Sequence, residues 1–110
     1  MQFYELNPIP NQRIQTTVEG NTYDFRFRTF NDMVFVDIEI NGYAVAKSVR
    51  CLPYSLIIPY KHMEEKGNFY FTTSDNKYPS YKDFSGGCQL VYLENGELSL
   101  MREAWNKLHG

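Results

Sequence analysis

Little in this chain of 110 residues announces a chemistry. Cysteine is scarce: Cys51 and Cys88 are too few for a disulfide scaffold, and among apolar neighbours such residues behave as small buried hydrophobes. Histidine is as scarce. His62 falls in a charged turn and His109 next to the C-terminal Gly110, neither at metal-ligand spacing from another Cys, His or carboxylate. Charge of one sign is missing too. A net charge of −2 and a pI near 5.6 argue against a nucleic-acid footprint or an anionic membrane surface as partner. No run approaches the roughly 18 apolar residues of a membrane helix. The opening MQFYELNPIP has neither the basic start nor the apolar run of a secretory signal, so the expected compartment is the cytoplasm or a particle assembled there. Gly86-Gly87 lacks the Lys-Ser/Thr that completes a phosphate loop and fits a bend before a strand instead. No catalytic, cofactor-binding or metal-binding residue is expected, and the chain reads as a non-enzyme.

What is present is rhythm. Turn signals recur about ten residues apart at Gly20-Asn21, Asn31-Asp32 and Asn41-Gly42. The segments between them alternate apolar and polar side chains, which is the pattern of an antiparallel meander with tight two-residue turns. In Thr22 to Phe30, Tyr23, Phe25 and Phe27 point one way while Asp24, Arg26 and Arg28 point the other. Met33 to Ile40 sets Val34, Val36, Ile38 and Ile40 inward, with Phe35, Asp37 and Glu39 outward. Arginines and carboxylates then share an outer face, where cross-strand pairs contribute roughly 0.2–1 kcal/mol each. Because the arginines face away from Tyr23, Phe25 and Phe27, a nucleic-acid stacking platform is not expected.

Further strands are predicted at Phe3–Leu6, Gln12–Val18, Tyr43–Leu52, Phe69–Thr73 and Cys88–Glu94. Pro53 and Pro59 bracket an apolar piece, Tyr54 to Ile58, that reads as a buried strand at a sheet edge or a packed connection. Asn95-Gly96 reads as a turn, after which Leu98, Met101, Trp105 and Leu108 fall at helical spacing. The expected fold is all-β: a small antiparallel sandwich or partly closed barrel over residues 1–94, with residues 95–110 as a short helix or tail. Nine tyrosines suit rims and interfaces. The long polar loop from Ser74 to Gly87 offers Tyr78, Tyr81 and Phe84 as partner contacts, and the tail offers Met101, Trp105 and Leu108.

The order of these elements resembles a known family. A Pro-Asn-Gln opening (Pro10, Asn11, Gln12) precedes a Tyr-x-Phe-x-Phe strand (Tyr23, Phe25, Phe27). An Asp-Ile-x-x-Asn-Gly hairpin follows (Asp37, Ile38, Asn41, Gly42), then Gly-Asn-Phe (Gly67 to Phe69) and Leu-Val-Tyr-Leu (Leu90 to Leu93). Over Phe3 to Leu93 this set is similar to the small plug-type proteins of contractile-tailed phage baseplates. The resemblance implies a structural β domain near the tail tube and central hub, oligomeric in the assembled particle. It implies protein partners, neither nucleic acid nor membrane, and a virion location after synthesis in the host cytoplasm. It carries no catalytic residue. A carbohydrate-binding module using the loop tyrosines is the alternative.

Overall fold

The computed structural model describes residues 1–109, with no account taken of the side chains of Trp105, Leu108 and His109. Seven strands form two antiparallel sheets packed as a sandwich and not closed into a barrel. Strands β1 (Gln2–Tyr4), β6 (Gly67–Thr73) and β7 (Cys88–Glu94) make a three-stranded sheet in the order β1-β7-β6. Strands β2 (Gln12–Val18), β3 (Asn21–Phe30), β4 (Met33–Ile40) and β5 (Tyr43–Arg50) make a four-stranded meander in sequence order. Helix α1 (Asn95–His109) follows β7.

The meander is built by three two-residue turns, as the spacing predicts, with one shift. Val18 pairs with Asn21, so the first turn is Glu19-Gly20 (φ 50° and 83°) and Asn21 already belongs to β3. Asn31-Asp32 and Asn41-Gly42 form the other two, each with positive φ at both positions. Paired positive φ is what a type I′ hairpin turn requires, and its twist matches that of the strands.

Residues from the two inner faces interdigitate. Tyr23, Phe25 and Phe27 of β3 meet Phe69 and Phe71 of β6, and all five are buried. The Phe25 and Phe69 rings stand edge to face with centroids 4.8 Å apart, a favoured geometry worth roughly 0.5–1.5 kcal/mol beyond area burial. Val36, Ile38, Leu90 and Tyr92 complete this core.

The Pro-Asn-Gln opening has a structural job. The Gln12 side chain accepts from Asn7 N and donates to Asn7 O (3.2 and 2.7 Å), while Asn11 Oδ1 accepts from Thr29 N (3.3 Å). These bonds pin the proline-rich crossing between the sheets, whose prolines offer no amide donors of their own.

One segment differs from the sequence expectation, and another takes one of its two expected forms. Tyr54 to Ile58 is the packed connection and not the edge strand. It straps the outer edge of β6 through Tyr54 N to Phe71 O (2.9 Å) and Ile57 N to Phe69 O (2.8 Å). Asn95-Gly96 is not a turn but the start of the helix. Glu97 Oε1 accepts from Glu94 N (3.2 Å), the backward half of a capping box, and satisfies a donor at the helix entry. Leu98 is fully buried, and α1 packs on β6 and β7, where Val91 and Leu93 are buried apart from the core between the sheets. No helix among the described residues is long and apolar enough to cross a membrane.

Candidate docking surfaces

The aromatic loop is folded back on its own protein more than its polarity suggests. Ser74 N donates to Gly87 O (3.0 Å) and closes its base. Phe84 is 2% exposed; its ring stacks on Phe71 at 5.7 Å and meets Phe27 edge-on. It therefore packs in the core and not on a rim, because the loop returns its one Phe to the gap between the sheets. Tyr81 is half-buried against the same cluster. Tyr78 is the exposed member, at 65%, and the Arg50 guanidinium lies 5.0 Å from its ring centroid. That distance is within cation–π range and fixes one ring face. In the tail, Met101 is half-buried, while the side chains of Trp105 and Leu108 lie outside the described residues.

Four sheet edges border the sandwich, and three are blunted. The 53–58 strap covers β6, β1 is three residues long, and β5 is broken by a bulge between its pairings at Val49 and Ala46. The bulge is held by Asp37. Its Oδ1 accepts from Ser48 N (2.6 Å), and Ser48 sits at φ 48°. Arg28 Nη2 bonds both oxygens of the same carboxylate (3.1 and 3.2 Å) and Ser48 Oγ (3.0 Å). Short, bulged and covered edges resist unwanted pairing. Only β2 presents seven regular residues paired on one side alone, to β3.

The strap is sealed by a buried polar cluster. Asn68, fully buried, accepts from Ile58 N (3.0 Å) and Phe69 N (2.7 Å) and donates to Ile58 O (3.0 Å) and Glu64 Oε2 (2.5 Å). Arg102 Nη2 reaches the same Glu64 oxygen at 2.7 Å and ties the helix to this cluster. A second cluster lies at the same end of β6, where Lys66 Nζ donates to Glu19 O (3.0 Å). Tyr92 OH donates to Glu19 Oε2 (2.5 Å), and the hydroxyl of Tyr23 is buried without a partner among the described residues. Burial first, then the charges of Glu65 and Glu19, push the Tyr23 phenol up to about 12.

The two thiols are buried and unpaired. Burial, with a smaller contribution from Cys88, pushes the Cys51 thiol up; burial pushes Cys88 up to about 12. Both are thiols, not thiolates, at neutral pH. His62 lies beside Tyr60, ring centroids 5.7 Å apart. Among the described residues no three His, Cys, Asp or Glu side chains are grouped to hold a metal.

Sequence reasoning missed one surface. Phe30 is 67% exposed and shares the outer face of β3 with Arg26 and Arg28, and Phe35 stands opposite Arg28. The signal was available, since Phe30 has the same parity in the strand as both arginines.

No curated protein matches the chain. Residues 1–95 match the family described as cyanophage baseplate Pam3 plug gp18, a span that includes both sheets and stops where α1 begins. The chain belongs to that family and is a baseplate plug-type phage protein.

Proposed function

We propose that this chain occupies the junction of tail tube and central hub in the assembled tail, and cements it by protein–protein contacts and not by turnover. The observation that carries the reading is the family match over residues 1–95. The architecture supports it: a rigid aromatic core, three blunted edges and one regular edge at β2, where a neighbour's strand can add its main-chain hydrogen bonds. In this reading the protein is made in the host cytoplasm, carried in the virion in more than one copy, and contacts neither DNA nor membrane. Tyr78 and Tyr81 in the loop and Met101 on the helix are the proposed contacts that keep exposed surface.

The carbohydrate alternative finds less support. Flat stacking needs several exposed rings in one plane, whereas Phe84 is buried and Arg50 lies over Tyr78. Coexpression with the tube and hub proteins of the source phage tests the proposal: the chain should coelute with one of them in size exclusion. Purified virions without this chain, judged by mass spectrometry, would overturn it.

A further inference from the structure

An open groove of about 830 Å³ crosses the outer face of the four-stranded sheet. Gln12 of β2, Arg26, Arg28 and Phe30 of β3, Phe35 of β4 and Ser48 of β5 line it. No Asp or Glu lines it, although the chain as a whole carries a net charge of −2. The local sign follows from the bulge. Asp37 lies directly opposite Arg26 in the ladder, yet its carboxylate is taken by Ser48 N and Arg28. Arg26 is left without an ion-pair partner among the described residues, and Arg28 retains guanidinium donors beyond the nitrogen that holds Asp37. Beside these cations stands an apolar wall, exposed Phe30 with half-buried Phe35, on a protein whose other β3 aromatics are all buried.

We propose that this groove docks an acidic peptide segment of another protein, with carboxylates over Arg26 and Arg28 and an apolar anchor between Phe30 and Phe35. The proposal rests on the baseplate reading and specifies the chemistry of one partner. Beyond Arg26 the face is mixed in sign, with Asp24 and Glu39 beside Arg13 and Lys47 and Asp24 paired to Arg13, so the stretch free of carboxylates is the one at Arg26 and Arg28. A nucleic-acid strand fits less well, because tracking a phosphate backbone takes a longer array of cations than two and a less acidic chain. Guanidinium forks match carboxylates with two hydrogen bonds at once, which gives register as well as attraction.

The test is selection from a random octapeptide ribosome-display library on the whole folded chain, repeated on Arg26→Glu and Phe30→Ala. Both side chains project from the sheet, so each variant should keep the thermal midpoint of the parent, measured alongside. Peptides selected on the parent should carry two or more Asp or Glu beside a large apolar residue. They should bind Arg26→Glu at least about ten-fold more weakly, the factor expected for roughly 1.4 kcal/mol, and Phe30→Ala several-fold more weakly. Selected peptides with no acidic enrichment, or with undiminished affinity for Arg26→Glu, overturn the proposal. So does a 20-nucleotide oligo-dT that binds in an Arg26-dependent manner and displaces them. Virions that contain the chain alongside such a negative result would reject the groove assignment and leave the baseplate role standing.

Discussion

Replacing Asn68 by Ala should cost more than any other single polar truncation in the described structure. Its side chain makes four hydrogen bonds inside the protein, to Ile58 N, Ile58 O, Phe69 N and Glu64 Oε2. Alanine leaves two amides and a carbonyl without their partner, and the Glu64 carboxylate with Arg102 alone, where little water reaches. At roughly 1 kcal/mol or more for each orphaned group, the loss is about 3–5 kcal/mol. That is a large share of the 5–15 kcal/mol typical of a domain's stability, and about 12–20 °C in Tm at roughly 4 °C per kcal/mol. Because Asn68 holds the 53–58 strap over β6, the loss should also be local. Amide exchange at Ile57 and Ile58 should accelerate well beyond that in β3. Asn68→Asp adds a diagnostic sign. Its second oxygen would face Glu64 Oε2, and two carboxylates at that range raise the pKa of one of them. A group whose folded pKa lies above its unfolded one stabilises below the unfolded value and loses that contribution as pH rises, so Asn68→Asp should be more stable at pH 5 than at pH 8, relative to the parent. Urea unfolding at both pH values with exchange mass spectrometry reads all three effects. An Asn68→Ala cost below about 1 kcal/mol, with Ile58 still protected, would refute the reasoning.

Other outcomes follow from the same packing. A methyl group on Gly67 would run into the Leu93 carbonyl oxygen and lie 2.5 Å from the Tyr92 ring and hydroxyl, so Gly67→Ala must shift the β7 backbone as well as Tyr92 and disturb the Tyr92 bond to Glu19. Overpacking of this kind costs roughly 1–3 kcal/mol, read as a lower urea midpoint. In alkali the fold should weaken from about pH 9 upward. Burial raises Cys88 from 9.0, and Tyr23 from 10.0, to about 12, so the unfolded chain releases protons that the folded chain retains. The stability these groups contribute is complete below pH 9 and lost toward pH 12. Urea midpoints should hold from pH 8 to about 9 and fall from there to pH 11, and a flat profile over the upper range would contradict the burial of these groups. Arg102→Ala leaves the buried Glu64 carboxylate with one partner fewer and should cost about 1–2 kcal/mol, with faster exchange in α1 than in β3.

The meander was legible in the sequence because local chemistry dictates it. Asn31-Asp32 and Asn41-Gly42 accept the positive φ their turns need, and alternation in β3 and β4 separates core from surface. What escaped was set by side chains reaching across strands. The β5 bulge depends on Asp37 accepting from Ser48 N as well as pairing across strands with Arg28, which no spacing reveals. The helix start was hidden because Asn95-Gly96 carries a turn signature, while the capping contact lies in Glu97, two residues on. Phe84 read as an exposed loop aromatic because polarity was judged from its neighbours, and its burial follows from closure of the loop at Ser74 and Gly87. The arginine groove was overlooked because the parity argument was applied to Tyr23, Phe25 and Phe27 and not extended to Phe30, which lies beyond the odd-numbered row.

The central claim is that the scaffold itself is the function, a rigid sandwich seated among other baseplate proteins. Cryo-electron microscopy of intact tails of the source phage tests it most directly. The account predicts density fitting this sandwich at the junction of tube and hub, with the β2 edge or the groove at Arg26 and Phe30 against a neighbouring chain. Tails resolved at that junction with no such density would contradict it.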